Sequence, residues 1–233
     1  MQLLSNFSLE SLLQAVIIVV VIMFAATIHE IAHGYAAYLC GDTTAKDQGR
    51  LSLNPLAHID PFGSVVLPLI MVLLGGPVFA FAKPVPFNPN NLRHRERDEL
   101  LVALAGPASN LAQAFVAACL IGLVCNTPIW TLYNGFANGA LDVLTQYLYV
   151  NLVLCFFNLI PLPPLDGSHV VGCFLRGEAL EKYYQIQRYA MPVLLILLYI
   201  VPTVLNIDPI SQYLRATAGN LYNALLVWPA RVL

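Results

Sequence analysis

Charge is what this chain has least of: Asp, Glu, Lys and Arg make up only 10% of its 233 residues, where a soluble chain carries roughly 25%. Hydrophobic residues make up 58%, which excludes an ordinary soluble domain and points to a multi-pass membrane protein. The net charge of −2 argues against a nucleic-acid partner. No Lys or Arg occurs in residues 1–11 and no cleavage-site pattern follows, so a secretory signal is not expected there. Cysteine is sparse too. Cys40, Cys119, Cys125, Cys155 and Cys173 are odd in number and form no Cys-x-x-Cys pair, and they read as small apolar packing residues.

Long apolar runs dominate what is present. Residues 12–40 carry few charges, and residues 15–26 carry none. A hydrocarbon core of roughly 30 Å needs about 20 helical residues, so this run can span it. Within the run stands His29-Glu30-Ile31-Ala32-His33. Residues four apart on a helix lie one turn above the other, so His29 and His33 can present two imidazole nitrogens to one metal ion, with Glu30 beside them. Zinc bound in this way lowers the pKa of its water to about 7, and a neighbouring carboxylate can take the proton. A carboxylate at mid-bilayer depth costs on the order of 2.5–3.5 kcal/mol, so Glu30 needs a partner or a wet cavity, and an intramembrane ionisable group is read as functional.

Beyond Cys40 the chain turns polar, with Arg50-Leu51-Ser52-Leu53 alternating as a strand would. Residues 62–76 are apolar but short for a span, and end in a Gly75-Gly76 pair that suits the hinge of a lid. Residues 78–87 alternate aromatic and small side chains before meeting two prolines, the pattern of an edge strand. Long apolar segments follow at 100–124, 140–160 and 190–204, while 207–233 suits an interfacial helix or a short final span. Lys46, Arg50, Lys83, Arg93, Arg95 and Arg97 flank the 62–76 segment on both sides, which places those loops in the cytoplasm and the uncharged 125–139 loop outside. The expected fold is an all-α polytopic membrane protein with about four to six transmembrane helices and a small β element at the cytoplasmic face. It forms a single domain over 1–233, with a core at about 10–175 and C-terminal helices at about 184–233. Extended substrate could dock beside the 50–53 and 78–87 strands.

A catalytic zinc usually has three protein ligands, so a third must come from elsewhere. Asp166 is the leading candidate, an isolated carboxylate on the proline-stiffened turn from Asn158 to Gly167; a capping Asp is its plainer reading. His169 is its closest rival, while His58 and His94 read as loop or cap residues. Asn110 and Asn151 read as interhelical hydrogen-bonding groups.

Together the His29–Gly34 motif, the Asn158–Gly167 turn and the intervening 49–63 and 83–90 regions resemble the site-2 protease family of intramembrane zinc metallopeptidases, in a compact form without PDZ or CBS domains. The resemblance implies one Zn2+ per chain held by His29, His33 and Asp166, Glu30 as general base, and Asn158 as a polar group near the substrate carbonyl. It implies cleavage of membrane-anchored protein substrates in or near their transmembrane segments, by a multi-pass protein of the cytoplasmic membrane whose active site faces the cytoplasm. The rival expectation is a non-proteolytic membrane metal-binding protein, either a carrier or an inactive scaffold. Glu30 discriminates, since a carrier needs ligands but no adjacent base.

Overall fold

A computed structural model describes residues 9–66, 82–126 and 134–227. The described residues are helical or irregular. The helices are α1 (Leu9–Leu39), α2 (Thr44–Asp47), α3 (Arg95–Asn126), α4 (Asn134–Asn158), α5 (Asp166–Phe174), α6 (Glu178–Gln187), α7 (Ala190–Leu195), α8 (Val201–Leu205), α9 (Pro209–Leu214) and α10 (Asn220–Val227). Turns widened to π-helix, Ile196–Ile200 and Arg215–Gly219, link α7 to α8 and α9 to α10. Pro202 has no N–H to return to the preceding turn, a common reason for such widening.

Three helical stretches are long and apolar enough to cross a bilayer: Val16–Leu39, Arg95–Asn126 and Asn138–Asn158. A fourth span exists if Glu178–Gln187 and Ala190–Leu205, bent by 61°, are taken as one. The count among the described residues thus reaches only the low end of the expected four to six.

No strand forms among the described residues, which corrects the expected β element. Arg50-Leu51-Ser52-Leu53 is irregular, and so are residues 82–88. Pro84 and Pro86 lack the N–H groups a ladder would need, and Arg50 joins the two stretches with its side chain instead. Its guanidinium donates to Ala57 O (2.8 Å) and Lys83 O (2.9 Å), and the Lys83 N–H donates to His58 O (2.8 Å). Residues 78–81 and the Gly75-Gly76 hinge lie outside the described residues.

Helix packing follows membrane rules. Lipid tails are as apolar as leucine, so helices associate through close van der Waals contact and small residues mark the contact surface. Ala114, Ala117 and Ala118 of α3 are buried against Leu148 and Leu152 of α4, with Ala218 closing the cluster. The outward positions carry large side chains such as Val19, Val20, Phe115 and Val116, each about half exposed, as lipid-facing residues should be. A second cluster, Leu165, Leu194 and Ile210, seats the turn that leads into α5. Both clusters serve the same end: α1, α3 and the start of α5 are brought to one place.

Candidate metal centre

α1 presents His29 and His33 one turn apart, their rings edge to face with centroids 4.7 Å apart and their Nε2 atoms separated by 3.0 Å. Asp166, the first residue of α5, reaches both. Its Oδ2 lies 3.2 Å from His29 Nε2 and its Oδ1 3.3 Å from His33 Nε2. The preceding turn can come this close because residue 167 is glycine. A Cβ there would sit 2.3 Å from Leu159 O. Among the described residues, His29, His33 and Asp166 are the one group of three potential ligands that converges.

The far side of each imidazole is also engaged. His33 Nδ1 lies 2.7 Å from Val102 O in α3. A backbone carbonyl only accepts, so Nδ1 carries a proton, and in the neutral ring that metal binding requires Nε2 is the lone-pair nitrogen on the side of Asp166. His29 Nδ1 lies 2.5 Å from Asn110 Oδ1, and the Asn110 amide donates to Asn151 Oδ1 at 2.8 Å. Between Val102 and Asn110 comes Gly106. A Cβ at that position would fall 2.3 Å from His33 Nε2 and 2.6 Å from His29 Nε2, so a hydrogen is the largest substituent that fits.

Lone pairs and a carboxylate facing one another at such distances repel unless a cation lies between them. Asp166 Oδ2 is buried and receives no hydrogen bond. Ligands held tetrahedrally at 2.0–2.1 Å from zinc stand roughly 3.3 Å from each other, close to the 3.0–3.3 Å separations found here. Two imidazoles and one carboxylate are a catalytic zinc donor set that keeps a fourth position open. The residues present therefore fit the ion.

Glu30 projects beside this cluster. Its Oε2 accepts the Val85 N–H at 2.9 Å, which compensates part of the cost of a carboxylate within a membrane helix. One turn on, Gly34 lets the irregular segments seat closely, for a Cβ there would lie 2.6 Å from Leu51 Cδ2 and 2.7 Å from Val85 Cγ1. The other end of the 82–88 segment is tied down by Asp42, which accepts from Asn88 N (2.7 Å), Asn91 Nδ2 (2.8 Å), Thr44 N (3.1 Å) and Thr44 Oγ1 (2.5 Å). Burial alone would push the Asp42 carboxyl up; the Thr44 hydroxyl, the Asn88 N–H and the Asn91 amide outweigh it and hold the group below the usual carboxylate range.

Of the residues singled out from the sequence, His29, His33, Asp166 and Glu30 thus come together. Asn158 ends α4 and gives its amide to Leu154 O (3.0 Å) in its own helix. His58 is buried with Nε2 2.9 Å from Ser52 O, and the His94 N–H donates to Asp98 Oδ2 at 2.8 Å, as loop and cap residues do. His169 is absent from the converging group. Sequence reasoning missed the Val85 N–H, the Val102 carbonyl and the contact of Gly106 with the imidazoles. The Gly106-Pro107 pair inside an apolar helix was the available signal for the last.

A model of peptidase family M50 matches residues 126–201, the part that carries Asn158 and Asp166. Among curated proteins, "Putative zinc metalloprotease YwhC" of Bacillus subtilis is 38% identical over 187 residues, covering 80% of this chain and 81% of its own length. "Putative zinc metalloprotease Rip2" of Mycolicibacterium smegmatis is 27% identical over 217 residues, covering 88% and 79% respectively. "Putative zinc metalloprotease MJ0611" of Methanocaldococcus jannaschii is 30% identical over 112 residues, covering 47% and 51%. No solved structure matches the chain. With the relationship to YwhC running through four-fifths of both sequences and apolar helices long enough to cross a bilayer, the chain belongs to peptidase family M50 and is an integral membrane zinc metalloprotease.

Proposed function

We propose that this protein is an intramembrane zinc endopeptidase that hydrolyses peptide bonds in or next to the transmembrane segments of membrane-anchored proteins, with one Zn2+ held by His29, His33 and Asp166. The observation that carries the reading is position. His29 lies ten residues before Leu39, the last residue of α1, hence about 15 Å along the axis from that end of a membrane helix. A hydrolytic group at that depth acts on substrates that share the bilayer. The basic loops at Lys46, Arg50, Lys83 and Arg93 favour the cytoplasm for that end of α1, in a multi-pass protein of the cytoplasmic membrane.

Zinc at this site supplies a water of lowered pKa and polarises the scissile carbonyl. The chain's own part is proton handling. Glu30, held by the Val85 N–H, takes the proton from water as the oxygen attacks the carbonyl carbon. It returns that proton to the amide nitrogen as the C–N bond breaks, leaving a carboxylate and a free amine. Asn158 stands at the end of α4, just before the turn that carries Asp166, and is assigned the substrate carbonyl.

The experiment is Glu30→Gln in purified protein, with zinc content and cleavage of a single-span test substrate measured side by side. The amide keeps the size of the side chain but cannot take a proton, so zinc is expected to stay stoichiometric while cleavage disappears. Full cleavage by the variant would remove Glu30 from the role of base. A wild-type protein that holds zinc without cleaving the substrate would return the site to the carrier or scaffold reading.

A further inference from the structure

We propose that Asn110 is a positioning residue that fixes the tautomer of His29, with Asn151 fixing Asn110 in turn. The inference rests on the reading of His29, His33 and Asp166 as a zinc site. Its origin lies at a backbone carbonyl. Asn151 Nδ2 lies 2.9 Å from Tyr147 O, which can only accept, so this end of the Asn151 amide must be its nitrogen. The Asn151 oxygen therefore faces Asn110, and that oxygen can only accept as well. Asn110 must answer with its own nitrogen, which turns Oδ1 toward His29 Nδ1. A carboxamide oxygen there requires a proton on His29 Nδ1, so the neutral ring has its lone pair on Nε2, the nitrogen that faces the other two candidate ligands.

The direction of every bond in this relay follows from its first member. Both asparagines are fully buried, so water does not compete for any of these positions. His33 reaches the same state by a shorter route, through Val102 O. An imidazole whose outer nitrogen is held by an acceptor has its ring orientation set before the metal arrives, and the partner raises its basicity.

Two variants separate this role from interhelical packing. Asn110→Ala and Asn110→Asp both lose the amide that donates to Asn151, but only Asn110→Asp keeps an acceptor at His29 Nδ1. Zinc affinity is measured on the detergent-purified full chain by competition with a chromophoric chelator, and Co2+ loaded into each variant is examined for its visible d–d bands. Asn110→Ala is expected to weaken zinc by roughly 10- to 100-fold. Asn110→Asp is expected to bind at least about ten-fold more tightly than Asn110→Ala and to keep the wild-type cobalt bands. Equal affinities and spectra for the two variants would overturn the proposal and leave Asn110 an interhelical contact. If Asn110→Ala does not fold, as judged by gel filtration and circular dichroism, Asn110→Ser takes its place, its hydroxyl being too short to reach Nδ1. Failure of the zinc reading looks different: wild type and His33→Ala would then bind the metal alike.

Discussion

The Val85 N–H donates to Glu30 Oε2 across 2.9 Å, and with Pro84 and Pro86 on either side it is the only backbone donor in that tripeptide. A donor to a carboxylate contributes about 1.5–3 kcal/mol. Val85→Pro removes it without touching a ligand. The expected result is zinc at wild-type stoichiometry with cleavage reduced by roughly 10- to 100-fold. Val85→Ala, which keeps the N–H, should lose much less. A proline variant as active as the alanine variant would show that the contact does not orient the base.

Gly106 is open to an equally direct check. Gly106→Ala puts a methyl group 2.3 Å from His33 Nε2, so either the two imidazoles turn out of their present positions or α3 moves away from α1. Overpacking of this kind costs about 1–3 kcal/mol. Because the strain falls on the ligands, zinc content and cleavage should both drop. Gly139→Ala, where a Cβ meets nothing within 4 Å, is the matched control and should be indistinguishable from wild type.

Acid should act on Asp42 with a definite sign. Its folded-state pKa lies below the usual carboxylate value, so its contribution to stability is complete above the unfolded value of about 3.9 and is lost as pH falls through the lower folded value. Asp42→Asn is expected to lower stability at neutral pH by about 1–3 kcal/mol, since an amide donor now meets donors from Thr44, Asn88 and Asn91. Thermal unfolding of both proteins in detergent should show this gap narrowing below about pH 4. A gap that widens with acid would contradict the assignment.

Orientation in the membrane is tested by labelling. In a chain whose native cysteines have been replaced, Arg95→Cys should react with a membrane-impermeant thiol reagent only after the cell is opened, and Asn134→Cys should react in intact cells. Arg95 is the first residue of α3 and Asn134 the first of α4, so the α3 span runs between the two positions. The inverse pattern would place the end of α1 outside the cell.

What could be read from the sequence was what side chains encode over short spans. The His29, Glu30 and His33 spacing needs only helix geometry, and the prolines at 161, 163 and 164 marked the turn that brings Asp166. Asn110 and Asn151 were each legible as interhelical hydrogen-bonding groups, yet their pairing and their link to His29 were not, because nothing local ties residue 110 to residue 151 or to residue 29. The Val85 N–H and the Val102 carbonyl were invisible for a different reason. Every residue but proline carries both groups, so sequence gives no sign of which ones are used. The strand expectation failed because alternation at Arg50-Leu51-Ser52-Leu53 says nothing about a partner, and the segment nearest to it is broken by prolines.

Val102, Gly106 and Asn110 recur every fourth residue along one face of α3, each meeting the imidazole pair through a different means: a carbonyl, a bare hydrogen and a carboxamide. This face works as a ruler. Slide α3 by one turn in either direction and a valine or asparagine side chain arrives where only glycine fits. The register between the two helices is thus set at the candidate metal site itself, by the one position on this face that has no side chain.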